Sequence, residues 1–100
     1  MARNYNTNVS GGAFTLAEIN SVWNKGVEIP GYPKDTWRRD MCGNSMKRDE
    51  HGDRNSSTGW EIDHIKPVEK GGTDDLSNLQ PLYWGNNAVK ADKYPWRCGE

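Results

Sequence analysis

WEIDHIKPVEKGGTDDLSNLQPLYWGNNAVKADK, residues 60–93, is the stretch that decides the fold. Trp60 to Ile65 is rich in β-branched and aromatic residues and predicts a strand, which Pro67 ends. Residues 70–75, Lys-Gly-Gly-Thr-Asp-Asp, are turn chemistry. Asn78 to Leu82 predicts a second short strand, irregular or at an edge because of Pro81. A helix is expected from about Tyr83 or Trp84 to Lys93, ending before Pro95. Packing of hairpin against helix is expected to bury Ile62, Ile65, Leu79, Leu82 and Val89. The same packing would bring Asp63, His64, Asn78, Asn86, Asn87 and Lys90 toward one point, with only one of the two adjacent asparagines, Asn87, facing Asp63.

Upstream, Thr15-Leu-Ala-Glu18 is a capping-box pattern. Leu16, Ile19 and Trp23 share one helical face, so a first helix is expected over about 16–25, with Gly26 as its stop. Pro30, Gly31 and Pro33 make a loop. Residues 37–50 suggest short irregular strands around a tight turn at Asp40-Met-Cys-Gly43. Residues 1–13, without periodicity, read as a flexible N-terminal arm. His51 lies in a polar loop and is expected to be solvated.

One hundred residues make one domain with a thin core. Hydrophobic residues are only 33% of the chain, so the five Trp and four Tyr must supply much of that core. No apolar run is long enough to span a membrane, and the first residues do not read as a signal peptide. The expected location is therefore the cytoplasm, with Cys42 and Cys98 as free thiols. A net charge of −1 counts against a sequence-blind nucleic-acid binder, unless local basic clusters or a bound cation supply the affinity. Lys66, Lys70, Lys90 and Lys93 are such a cluster and are the expected contacts to a nucleic-acid backbone.

The residues that converge suit metal-assisted phosphodiester hydrolysis. Asp63 offers a carboxylate and Asn87 an amide oxygen to a hard cation. His64 is the side chain whose ordinary pKa suits a general base near neutral pH. Asn78 could hold its imidazole without adding a charge.

The 60–82 stretch, with Asn87 and Lys90 after it, resembles the HNH endonuclease motif. The Asp-His pair, the Gly-Gly turn, the Asn-Leu-Gln-Pro-Leu strand and the later Asn-x-x-Lys carry the resemblance. It implies an α+β fold: a small single domain over 14–100 with a ββα-metal core and an added N-terminal helix. It implies cleavage of DNA with one divalent cation, Mg²⁺ or Mn²⁺ before Ni²⁺ or Zn²⁺. By position Asp63 and Asn87 resemble the metal ligands, His64 the general base and Asn78 the residue that orients it. Asn87 stands where many members have His, an H-N-N variant. Many members also hold a structural zinc on two Cys-x-x-Cys pairs. Here Tyr83 and Asn86 fall at the later pair and Cys42 alone remains of the earlier one, so no structural zinc is expected. Extra DNA contacts would come from a protein partner or a homodimer. Rival readings are a DNA-binding module without activity, and a nuclease for RNA or branched DNA.

Overall fold

The computed structural model of the protein describes residues 3–100; Met1 and Ala2, the start of the expected arm, lie outside the described residues. The elements run α1 (Leu16–Trp23), β1 (Val27–Glu28), β2 (Trp37–Arg39), β3 (Ser45–Lys47), β4 (Trp60–His64), β5 (Leu79–Tyr83) and α2 (Trp84–Lys90). Strands β1, β2 and β3 form one antiparallel sheet in that order; β4 and β5 form a second, two-stranded one. The fold is a mixed α+β domain.

α1 begins with the capping box that its sequence spells. The Thr15 hydroxyl accepts from the Glu18 amide at 3.1 Å, and the Glu18 carboxylate accepts from the Thr15 amide at 2.8 Å. Its buried face is Val22 and Trp23, with Ile19 half-buried. Leu16, expected on that face, is 69% exposed.

In the hairpin, Ile62 pairs with Pro81, Asp63 with Gln80 and His64 with Leu79. Directly opposed residues of antiparallel strands share a sheet face, and successive residues alternate. One face therefore carries Trp60, Ile62 and Leu79, which join Phe14, Val22, Trp23 and Met46 in the main core. The other carries Glu61, Asp63 and Leu82 and meets α2. This corrects the expected packing. The α2 side of the hairpin buries Asn87 and Lys90, and Val89 is 52% exposed. Ile65 lies beyond β4 and is only half-buried. α2 also stops at Lys90, short of Lys93.

The tight turn after β2 forms as expected: the Gly43 amide donates to the Asp40 carbonyl at 3.0 Å. Asp40, 2% exposed, ties this turn to the β5–α2 junction. Its Oδ1 accepts from the Cys42 and Asn44 amides, both at 2.9 Å. Its Oδ2 accepts from the Tyr83 amide at 2.9 Å and from Asn86 Nδ2 at 3.0 Å. The positions compared above with zinc-binding pairs are thus joined through one carboxylate. The expectation of free thiols is corrected here too. Cys42 and Cys98 form a disulfide, which fastens the chain's end to the same turn. Two thiols 56 residues apart in sequence gave no spacing signal for it. Disulfides persist in oxidising surroundings, so this bond counts against the reducing compartment from which free thiols were expected. No helix among the described residues is long and apolar enough to cross a membrane.

Asp40→Ala should strip the part-buried amides of Tyr83 and Asn44 of their acceptor. A loss of roughly 2–4 kcal/mol in urea unfolding is expected. A loss under about 0.5 kcal/mol, the range of ordinary surface changes, would mean that the carboxylate does not hold the turn to the hairpin.

Candidate active site

Asp63, His64 and Asn87 line one cavity of about 460 Å³. β4 supplies the first two from its last residues, and α2 supplies the third from its middle. Asp63 is 5% exposed; Gln80 Nε2 donates to its Oδ2 at 2.8 Å, and Lys90 Nζ lies 3.2 Å from its Oδ1. Burial pushes its carboxyl above the ordinary range, against the opposing pull of the Gln80 hydrogen bond and of the Lys90 charge. A carboxyl raised on folding favours the folded state in its protonated form. Its contribution is present at acid pH and is lost as pH rises past the raised value. A cation beside the ionised carboxylate would offset that cost.

Asn87 is 2% exposed, and its Nδ2 donates to Glu61 Oε1 at 2.9 Å. Glu61 is itself held by Arg54 through two bonds of 2.8 and 2.9 Å. This fixes which way the amide faces and leaves Oδ1 as the atom able to ligate. Asn86, its neighbour, turns to the β2–β3 side, with Nδ2 on Asp40 and on Asn44 Oδ1 at 2.7 Å. Successive helical residues point about 100° apart, which separates the two amides.

The donor set fits a hard divalent ion: one carboxylate and one amide oxygen, in a cavity with room for water and a phosphate. It does not suit a structural metal. Among the described residues no group of three or more His, Cys, Asp or Glu could hold an ion.

His64 is 9% exposed, with its ring centroid 6.0 Å from that of Phe14. Its Nε2 lies 2.7 Å from Asp74 Oδ1. Asn78, expected to hold this imidazole, does something else. Its Oδ1 accepts from the Lys66 amide at 2.8 Å, and its Nδ2 donates to the Lys66 carbonyl at 3.1 Å and the Thr73 carbonyl at 2.9 Å. It clamps the two ends of the turn rather than the ring. The Gly-Gly pair serves the same closure. Gly71 has φ +92°, and a Cβ on Gly72 would lie 1.7 Å from the Lys66 carbonyl oxygen.

Of the four expected DNA contacts, Lys66, Lys70 and Lys93 are exposed. Lys90 is not available to a phosphate: it is 2% exposed, paired with Asp63, and donates to the His64 carbonyl at 3.0 Å. Its spacing was the missed signal. Three residues after Asn87 is the same helical face, so a helix that turns Asn87 inward turns Lys90 inward too.

The N-terminal segment also reaches the cavity, where Arg3, Asn4, Tyr5, Asn6 and Thr7 form part of the wall. Asn6 Oδ1 accepts from the Ile62 amide at 2.8 Å and lies 3.0 Å from His51 Nε2. His51 is accordingly no solvated loop residue. It packs on Trp60 at 4.9 Å between centroids, and burial is the main cause that lowers its pKa.

Residues 40–87, just under half of the chain, match the family model described as HNH endonuclease. This segment is similar to that family. The match takes in the Asp40 turn, the β4–β5 hairpin and α2 as far as Asn87. It supports a nuclease, a phosphodiester hydrolase in general terms, from a family that acts on DNA and typically uses a divalent metal. No curated protein and no solved structure matches the chain.

Asn87→Ala should weaken Mn²⁺ binding at least tenfold in titration calorimetry. Asn86→Ala should leave that affinity within about twofold and lower the unfolding temperature instead, since its bonds go to Asp40 and Asn44. The reverse pattern would move the ligand to Asn86.

Proposed function

We propose that the protein is a metal-dependent endonuclease that hydrolyses phosphodiester bonds of DNA. The observation that carries the reading is the shared cavity of Asp63, His64 and Asn87, inside the segment similar to the HNH endonuclease family. Asp63 and Asn87 would hold one divalent cation, Mg²⁺ or Mn²⁺ by the hardness of their oxygens. When bound, that ion supplies electrostatic stabilisation for the charge that builds on the phosphate and the leaving oxygen. His64 takes a proton from the attacking water as the new P–O bond forms and the old one breaks. Lys90 does not act on substrate; it neutralises part of the Asp63 charge and fixes the end of β4 through the His64 carbonyl.

Of the four expected contacts, Lys66, Lys70 and Lys93 are exposed and would meet a DNA backbone. Three phosphate contacts on a chain of net charge −1 give weak, salt-sensitive binding. A protein partner or a second copy would add contacts. Action in the cytoplasm requires the fold to hold with Cys42 and Cys98 reduced.

Supercoiled plasmid with Mg²⁺ or Mn²⁺ should be nicked or cut, and a chelator should stop it. His64→Ala, checked for folding by its melting temperature, should lower the rate roughly 10²–10⁴-fold. A folded His64→Ala protein that cuts at the parental rate would remove the base. Cleavage of RNA or branched DNA with plasmid untouched would replace the substrate.

A further inference from the structure

The motif does not account for Asp74, although its carboxylate is within hydrogen-bond distance of the proposed base. Asp74 Oδ1 lies 2.7 Å from His64 Nε2. An ionised carboxylate only accepts hydrogen bonds, so in the neutral ring the proton must sit on Nε2. Nδ1 then carries the lone pair. Which nitrogen of an imidazole is basic is set by the bond the other one makes.

Asp74 is held from two sides. The amide of Val9 lies 3.2 Å from each of its carboxylate oxygens. Asn78 Nδ2 grips the carbonyl of Thr73, the residue just before it. Asn78 therefore reaches the imidazole through the loop that carries Asp74, without touching the ring. Val9 belongs to the segment that Asn6 pins to the Ile62 amide, two residues before His64. One end of this segment lines the cavity, and the other seats the carboxylate behind the base.

We propose that Asp74 is a positioning residue for His64, fixing the ring so that Nδ1 is the nitrogen that accepts the proton, and that the N-terminal segment holds Asp74 in place through the Val9 amide. The proposal rests on the reading of His64 as general base. No redox or covalent step is involved. The proton moves from water to Nδ1, and Asp74 takes no part in that transfer.

The test pairs a spectroscopic readout with kinetics on the full chain. Nitrogen-15 NMR of the His64 ring, without metal or DNA and well above the ordinary imidazole pKa, reports the tautomer. The parent should show the Nε2–H form. Asp74→Asn, whose amide oxygen can still accept, should keep it, and Asp74→Ala should give a mixture of both forms. In plasmid cleavage Asp74→Ala should lower kcat roughly 10- to 100-fold, the range typical when the partner orienting a functional histidine is lost. KM should change less than about twofold, and Asp74→Asn should restore much of the rate. Val9→Pro, which removes the amide proton, should lower kcat in the same sense, whereas Val9→Ala keeps the amide and should match the parent. An unchanged tautomer in Asp74→Ala overturns the proposal whatever the rates do. Equal rates for Val9→Pro and Val9→Ala overturn the part given to the N-terminal segment. A parent that cuts no nucleic acid with any cation, while Asp74→Ala shifts the tautomer as expected, sinks the nuclease reading and leaves the positioning role intact.

Discussion

β4 is buried along its whole length, and its alternation sends Trp60 and Ile62 into the main core while Glu61 and Asp63 face α2. That constraint organises the molecule. Two carboxylates taken out of water must be met by donors, because an unpaired buried charge costs several kcal/mol. Arg54 and Asn87 meet Glu61; Lys90 and Gln80 meet Asp63. α2 is seated on the hairpin by the bonds of Asn87 and Lys90, and Asp63 and Asn87 both reach the cavity wall. A residue pair that would be a liability in an ordinary core is here the frame of the site.

The rest of the chain supports that frame from outside. Asp40 gathers four donors and fixes the turn after β2 against the start of α2. The Cys42–Cys98 disulfide closes the same corner with the chain's end. On the opposite side Lys25, just past α1, donates to the carbonyls of Leu76 and Leu79, which sets the loop before β5. A small domain with only a thin apolar core depends on such polar clasps more than a large one does.

How far the sequence carried can be judged residue by residue. The capping box of Thr15 and Glu18, the β4–β5 hairpin and the start of α2 are local patterns, and local patterns were legible. So was the convergence of Asp63, His64 and Asn87, which share one cavity. What was not legible depends on contacts distant in sequence. Asp74 reads as one acid in a polar turn, and only folding of that turn sets it against His64. Asn6 and Val9 read as part of an arm; their bonds go to residues 56 and 65 positions away. The disulfide has no motif; the burial of Lys90 does follow from its spacing to Asn87, a local signal that the usual exposure of a helix lysine outweighs. Val89 was expected to be buried on the assumption that an apolar helix face meets a hairpin, whereas the hairpin's α2 side is largely charged.

The central claim is that Asp63 and Asn87 hold one divalent cation in the cavity that His64 lines. Anomalous diffraction from crystals grown with Mn²⁺ tests it most directly. The account predicts a single strong peak about 2 Å from an Asp63 carboxylate oxygen and from Asn87 Oδ1, with waters completing the shell. A peak on Asn86 or Asp40, or Asp63 still bound only to Lys90 and Gln80 at saturating Mn²⁺, would contradict it.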